Sequence, residues 1–282
     1  MGAPERVIFE PTWIHSVKAY VQPYWDGLVD GPLVHRASTG QLSLAEMRGW
    51  MLQMYPVIHA FPKFLAEVLI KVEDDHARSF FIDNIRVERA HATHWVAMCE
   101  GFGVDRGLLM QLAEGDRPVL RDVQSLSDWL WYINCKGTMA EAVVATSFAI
   151  EGAIGDISRR VVEGFKYYDG HDGVLLNSRT YKWFREHAHY DDMHPKIALE
   201  IVERYATTPR TRTRAMFAAK RSLQLLEQAL MAATYSYSDG HAETSRAARD
   251  QRRIERRGDC VTIAFPDRRF RERRGAALWV GT

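Results

Sequence analysis

Residues 183–195 read W-F-R-E-H-A-H-Y-D-D-M-H-P, and this stretch carries three of the eleven histidines of the chain. A helix advances by about 100° per residue, so Asp191 and His194 lie about 40° and about −20° from His187 around the axis. The sequence therefore predicts that these three side chains project from one stripe of a helix. Two imidazoles and a carboxylate form a set suited to a divalent first-row metal. The alternative is a polar helix end, where histidines interact favourably with the last carbonyl groups.

The sequence around this stretch has helical periodicity. Apolar residues recur at helical spacing from Ser43 to about Val72, and Ser43 with Glu46 has the capping-box pattern. Pro56 and Pro62 lie inside that segment and should kink it, because an interior proline removes a backbone hydrogen bond. Other helical segments are predicted over residues 76–102, 138–165, 178–192, 195–204 and 209–237. No strand alternation precedes the tail, so the predicted fold is a single all-α domain, residues 1–238, of about seven or eight helices.

The bulk composition is that of an ordinary globular chain. Of 282 residues, 46% are hydrophobic and 26% are charged, so a sizeable core is expected. The formal charge of +1 argues against nucleic-acid binding, and no apolar run approaches the roughly 20 residues of a membrane span. Three dispersed cysteines without a C-x-x-C pair argue against a disulfide framework or a thiolate zinc site. We expect a protein of the reducing cytoplasm that binds neither membrane nor nucleic acid.

The last part of the chain, residues 239–282, differs in composition. From Ala242 onward it carries eleven Arg, no Lys and six Asp or Glu, with little apolar periodicity. Charge-rich segments of low hydrophobicity usually stay unfolded, so a poorly ordered tail without an assigned function is predicted. A basic arm for an anionic partner is the alternative.

A second helical segment carries two ligand-type side chains. Glu88 and His91 are three residues apart, which places them on one face of the predicted 76–102 helix. Asn84 lies one turn away, so this face is not simply apolar.

A third segment contains an isolated carboxylate. Glu151 lies in the middle of the apolar run T-S-F-A-I-E-G-A-I-G-D, residues 146–156. A glutamate is almost never buried unless it is paired or bound to a ligand. The small neighbours Ser147 and Gly155 would leave space for a metal, dioxygen or a substrate. A structural ion pair with an arginine such as Arg89 or Arg185 is the alternative.

Together the three segments offer three carboxylates and three imidazoles: Glu88, Glu151, Asp191, His91, His187 and His194. Six such ligands suit two metal ions with open positions better than one closed structural site. Carboxylate-rich metal pairs in helical bundles are the setting of di-iron oxygen activation. The ferritin-like version uses two Glu-x-x-His motifs, however, and this chain offers only one.

The pattern resembles the haem-oxygenase-like di-iron oxidases, relatives of the thiaminase-like and PQQ-synthase-like helical proteins. Members of that family take a Glu and a His from one core helix, a Glu from a second, and a His-x-x-x-Asp-x-x-His set from a third. The six residues above match that order, with intervals much like those of the terminal-alkene-forming fatty-acid decarboxylase. The resemblance covers roughly residues 10–237. It implies a haem-oxygenase-like helical bundle that binds two Fe(II) ions per chain and activates O2.

At one position this sequence differs from some members of that family. Some members, including the aminobenzoate-forming branch, place the first His seven residues after the Glu, and that position here is Trp95. His94 lies about 120° from Glu88 around the helix. His91 is therefore the expected ligand, with His94 as the alternative.

The resemblance also implies the kind of substrate. Desaturation, C–C fragmentation or N-oxygenation of an aliphatic amino acid is the leading expectation, and oxidative decarboxylation of a fatty acid is the alternative. The substrate would carry a free carboxylate, the partners would include an external electron donor, and the chain would form a homodimer. Four aromatic residues near the ligands would line an apolar pocket or belong to the ordinary core: Phe148, Phe184, Tyr190 and Trp95.

Two other classes of function stay open at this stage. A metal-free thiaminase-like or PQQ-synthase-like enzyme on the same scaffold would use Cys135 as a nucleophile, although a cysteine in an apolar stretch is more often a small buried side chain. That hypothesis leaves the six ligand-type residues unexplained. The second is a non-catalytic helical module that binds a partner through the basic tail.

Overall fold

A computed structural model of the chain describes residues 12–190 and 193–238, and the regular structure in those residues is entirely helical. A π-helical segment covers Val144–Ile150, and a 3-10 segment covers Val162–Tyr167. This confirms the all-α class. The α-helices in the described part of the chain are α1 (Thr12–Val29), α2 (Pro32–Ser38), α3 (Leu44–Leu69), α4 (Asp75–Gly101), α5 (Arg106–Glu114), α6 (Arg121–Lys136), α7 (Met139–Val143), α8 (Glu151–Val161), α9 (Lys182–Tyr190), α10 (His194–Tyr205) and α11 (Pro209–Tyr235).

Side-chain caps define where the central helices begin. The predicted capping box is present at α3, where the hydroxyl of Ser43 accepts from the Glu46 backbone N–H and the Glu46 carboxylate accepts from the Ser43 N–H. At α4 the carboxylate of Asp74 accepts from the Ala77 N–H, so the helix begins at Asp75, one residue before the predicted start. Each cap satisfies an N–H group that has no partner within its helix.

The helix predicted over residues 138–165 is divided into four consecutive segments. Its start is the predicted capping box of Thr138 and Glu141. The π-helical turn then interrupts the regular spacing just before Glu151. A π turn adds a residue to the helix without changing its apolar character, so the hydrophobic pattern did not reveal it.

The prediction that His187 and His194 project from one stripe of one helix is wrong. Helix α9 ends at Tyr190, and His194 is the first residue of α10, so the two histidines belong to different helices. Pro195 lies in the first turn of α10, where its missing N–H costs nothing. Asp191 and Asp192 lie outside the described residues.

The helices pack around a core made mainly by α3, α4, α11 and the π segment. Helix α3 runs uninterrupted through Pro56 and Pro62 and lies along α4, while α11 contacts α3, α6, α7 and the π segment. The described residues belong to one compact unit, Met1–Glu243, and the tail predicted over residues 239–282 lies outside the described residues. Every helix in the described part of the chain is too short or too polar to span a bilayer.

Candidate metal centre

The structure brings together three of the residues predicted as ligands. Glu88 and His91 come from α4 and His187 comes from α9, and one potential ligand atom of each lies within 4.8 Å of the other two. All three side chains are buried, with 3–8% of their surface exposed. The spacing of Glu88 and His91 puts both on the face of α4 that meets α9. Their side chains contact each other, with Glu88 Oε1 3.0 Å from His91 Nδ1.

A second group, around Glu151, lies beside the first. His194 Nδ1 is 3.5 Å from Glu151 Oε2, so the first residue of α10 faces the first residue of α8. The amide nitrogen of Asn84 donates to both carboxylate oxygens of Glu151, at 3.1 Å each. Burial raises the pKa of Glu151, and the charge of Glu88 raises it further, because the two carboxylates face the same buried region. The structure thus places three of the six predicted ligands in one group and two in a second, and the sixth, Asp191, lies outside the described residues.

Neither carboxylate has an arginine or a lysine at ion-pair distance among the described residues. The titratable neighbours of Glu88 and Glu151 are histidines, and Glu151 contacts Asn84 and His194 in place of the arginine considered for it. Burial raises the pKa of both carboxyl groups above the usual value of 4.5. An ionised carboxylate buried without a cation is strongly disfavoured, and a bound metal ion would supply the missing positive charge.

The two buried imidazoles are in the form that binds metals. Burial lowers the pKa of His91 and of His187 to about 4, so both rings are neutral at pH 7. His187 Nδ1 lies 2.9 Å from the carbonyl oxygen of Trp183, which can only accept. Nδ1 therefore carries the proton and Nε2 keeps a free lone pair, as in metal sites where a backbone carbonyl fixes the tautomer of a ligand histidine. Carboxylates and neutral imidazoles together suit iron.

The π-helical segment positions Glu151. All seven residues of Val144–Ile150 are buried, and the π turn ends directly at Glu151. Such turns are frequent at functional sites, because the extra residue turns the following side chain relative to the preceding helix.

Aromatic rings enclose the His187 side of the site. The ring of Trp183 lies 3.9 Å from that of His187, and Trp95 packs edge-on against Trp183 at 4.6 Å. Trp95 occupies the position where part of the family has a histidine, and its indole N–H donates to the Met51 carbonyl at 2.9 Å. Phe184 is also buried in this cluster. These rings keep bulk water away from the two neutral imidazoles.

Two residues near the site, His94 and Glu186, have surroundings that the sequence did not predict. His94, the alternative to His91, lies outside the group of Glu88, His91 and His187; its Nδ1 is 2.7 Å from a carboxylate oxygen of Glu186. Glu186 was not predicted, although it directly precedes His187. The sequence gives little indication that Glu186 lies near the site, because only folding packs α9 against α4.

Cys135 has the environment of an unreactive thiol. It is half-buried on α6, and burial together with a hydrogen bond to Glu67 raises the pKa of the thiol. A nucleophilic cysteine needs a lowered pKa, so these surroundings argue against the metal-free hypothesis.

The match to a protein family decides the class of the chain. A family described as iron-containing redox enzyme matches residues 48–227, well over half of the sequence. The chain belongs to the iron-containing redox enzyme family. Its helical architecture and the buried carboxylate–histidine groups agree with that membership.

Individual relatives of this iron-containing redox enzyme are distant. The 4-aminobenzoate synthase of Chlamydia trachomatis is 24% identical over 166 residues, which cover 59% of this chain and 69% of the relative. The 4-aminobenzoate synthase of Chlamydia muridarum is 22% identical over 176 residues, 62% of this chain and 72% of the relative.

Solved structures show the same fold. A TenA homologue from Pseudomonas syringae pv. tomato has a TM-score of 0.72 and 27% identity, and the match covers 83% of this chain and 97% of that one. A domain of unknown function with a haem-oxygenase-like fold from Shewanella denitrificans has a TM-score of 0.66 and 18% identity, with 84% and 97% coverage. The resemblance to haem-oxygenase-like and thiaminase-like helical proteins is thereby confirmed.

Proposed function

We propose that this iron-containing redox enzyme is an O2-dependent di-iron oxidase that oxidises a small carboxylate substrate in the cytoplasm. The proposal depends on one observation. The buried side chains of Glu88, His91 and His187 lie close together, and Glu151 and His194 lie beside them. Two carboxylates and three imidazoles, with Asp191 as a sixth ligand, are more donors than one closed site needs.

The residues divide between the two ions according to their contacts. Glu88, His91 and His187 would hold one Fe(II) ion, and Glu151 with His194 would contribute to the other. The bound ions would supply the electrons and the binding position for the reduction of O2. The protein holds the imidazoles neutral, fixes the His187 tautomer and excludes bulk water with the rings of Trp95 and Trp183. An external electron donor would restore the reduced state, and we propose a homodimer.

The substrate that we propose is an aliphatic amino acid, to be desaturated, fragmented or N-oxygenated. Beside Trp183 the structure has a small apolar cavity of about 10 Å³, lined in part by Met54, Ile58 and Ile154. That volume holds about one water molecule. The amino-acid assignment therefore depends on the family resemblance, in which most of the expected chemistries act on amino acids, and not on the cavity.

Two observations concern the alternative reactions, fatty-acid decarboxylation and aminobenzoate formation. The ligand intervals, which resemble those of the alkene-forming decarboxylase, keep fatty-acid decarboxylation as the second candidate. Trp95 stands where the aminobenzoate-forming branch has a histidine, and it packs with its indole N–H bonded to a backbone carbonyl. We therefore expect a ligand set different from the one that the resemblance implies for the aminobenzoate-forming branch.

Anaerobic titration with Fe(II) tests the metal assignment. The wild-type chain should bind two Fe(II) ions, and His187→Ala should lose at least one ion and reduce O2-dependent turnover by about 100-fold or more. His171→Ala, on an exposed loop, is the matched control and should keep both ions. Unchanged iron binding and O2 consumption in His187→Ala would refute the assignment.

Oxygen consumption by the iron-loaded protein identifies the substrate. Aliphatic amino acids and medium-chain fatty acids would be compared at equal concentration. The proposal expects an amino acid to give the faster substrate-dependent O2 uptake. Faster uptake with a fatty acid would replace the amino-acid assignment by the decarboxylase one.

A further inference from the structure

We propose that Glu186 is a positioning residue for the metal ligand His91: its carboxylate accepts the Nε2 proton and thereby directs the Nδ1 lone pair toward the metal. This inference rests on the proposed di-iron function. It assigns a role to a residue that lies beside the site and outside the six predicted ligands.

The geometry places His91 between two carboxylates. Its Nδ1 lies 3.0 Å from Glu88 Oε1, within the group of potential ligands, and its Nε2 lies 3.6 Å from Glu186 Oε2 on the opposite side of the ring. The same Glu186 oxygen is 2.7 Å from His94 Nδ1. The other oxygen, Oε1, is 3.6 Å from the ammonium group of Lys182, one turn earlier on α9.

Both histidine nitrogens that face Glu186 need an acceptor. His91 Nε2 and His94 Nδ1 are buried and form no hydrogen bond of standard geometry in the described part of the chain. A buried N–H without an acceptor is costly, and the carboxylate oxygen Oε2 of Glu186 lies next to both nitrogens, at 3.6 Å and 2.7 Å. A small shift of this carboxylate toward His91 would complete the hydrogen bond to Nε2, on the side of the ring away from Glu88.

The protonation of one nitrogen decides what the other can do. A neutral imidazole carries one proton, so Nε2–H directed at Glu186 leaves a lone pair on Nδ1, beside Glu88. Carboxylates that hold a ligand histidine in this way typically change metal affinity by 10–100-fold when they are removed. The tautomer of His187 is fixed in the same way by a different acceptor, since its Nδ1–H donates to the carbonyl oxygen of Trp183.

Glu186 acts through His91 and does not itself bind metal. Its side chain is 24% exposed, three times the value for Glu88 or Glu151. It also lies outside the buried group formed by Glu88, His91 and His187. His94 shares its contact with Glu186 and therefore belongs to the surroundings of the ligand.

The tautomer of His91 gives a test that needs no metal. In the metal-free, full-length protein labelled with ¹⁵N-histidine, NMR should show His91 protonated at Nε2, assigned by loss of its signals in His91→Gln. In Glu186→Ala the population of this tautomer should fall. A wild-type ring protonated at Nδ1, or a tautomer that is the same in Glu186→Ala, would overturn the inference whether or not iron binds.

Metal titration separates positioning from ligation. With Co(II) as the probe, Glu186→Ala should still bind two ions, one of them 10–100-fold more weakly. Glu186→Gln, whose amide oxygen still accepts a proton, should recover most of that affinity. His94→Ala should keep both ions, and Glu163→Ala, an exposed glutamate, is the matched control.

Three results of this titration have distinct meanings. Loss of a whole ion in Glu186→Ala would make Glu186 a ligand, and unchanged affinity would give it no role; either result overturns the inference. A wild-type chain that binds no metal contradicts the proposed function, and the tautomer measurement then still decides what Glu186 does to His91.

Discussion

Asn84 shows at the scale of a single residue how a buried carboxylate is kept available for metal. Its amide donates to both oxygens of Glu151 without neutralising their charge. An arginine in that place would form a closed ion pair and compete with a cation for the carboxylate. The neutral amide orients Glu151 and leaves its negative charge for a bound ion.

Replacing Asn84 by leucine should therefore weaken one metal position selectively. The similar volume preserves packing, while both hydrogen bonds to Glu151 are lost. We expect about a 10–100-fold loss of affinity for one Co(II) ion and little change for the ion held by Glu88, His91 and His187. Isothermal titration calorimetry would resolve the two affinities. An equal loss at both positions would show that Asn84 does not act through Glu151 alone.

Some residues of the site could be predicted from the sequence, and others could not. Glu151 was predictable because a lone carboxylate in an apolar run requires a partner, and it is buried among the residues predicted to accompany it. Glu88 and His91 were predictable from their spacing. Glu186 was not, because its contacts with His91 and His94 join residues that are about ninety positions apart in the sequence.

The π-helical turn is the element that sets the direction of Glu151. Deleting Ala145 should restore regular α-helical spacing and turn Glu151 by about 100° relative to the preceding helix. We expect a helical protein by circular dichroism that has lost at least one of the two Fe(II) ions. Retention of both ions in a folded deletion variant would show that the π turn is not needed to position Glu151.

Helix α7, which precedes the π turn, depends on Glu141. Although burial disfavours its ionised form, hydrogen bonds from Thr138 and from Arg214 lower the pKa of Glu141. A lowered folded-state pKa stabilises the fold above the unfolded value of 4.5, and this contribution is lost as the pH falls through the folded pKa.

Glu141→Gln should accordingly reduce stability in a pH-dependent way. Urea unfolding at pH 7 should show a loss of about 1–2 kcal/mol, because charge-assisted hydrogen bonds are replaced by neutral ones. The difference from wild type should shrink as the pH falls below 4.5 and through the lowered folded-state pKa, where the native carboxylate is also protonated. Glu163→Gln is the exposed control. An equal difference at both pH values would rule out the ionised carboxylate as the cause.

Helices were easier to predict than the breaks between them. The caps at Ser43 and Thr138 are local and were visible in the sequence. The break between α9 and α10 was underestimated, and with it the helix to which His194 belongs. His194 still reaches Glu151, because α10 packs against α8 and the π segment. The contact between His194 and Glu151 thus forms although His194 and His187 do not share the helix that was assumed for them.

At the scale of the whole molecule, the site joins helices that are distant in sequence. Its ligands come from α4, α8, α9 and α10, and no lysine or arginine among the described residues lies at ion-pair distance from the buried carboxylates Glu88 and Glu151. A metal ion that bridges these helices binds the native state and not the unfolded chain. Metal binding should therefore stabilise the entire helical domain.

Thermal unfolding measures that coupling. At a free metal concentration about 100 times the Kd, each site adds about 2.7 kcal/mol, which corresponds to a rise in Tm of about 5–10 °C for a domain of this size. Co(II) should raise the Tm of the wild-type chain and of His171→Ala by similar amounts. His187→Ala should show a clearly smaller rise, because one of the two positions is lost. An equal rise in all three proteins would mean that the stabilising ions bind elsewhere, and the predicted ligands would then not form the metal centre.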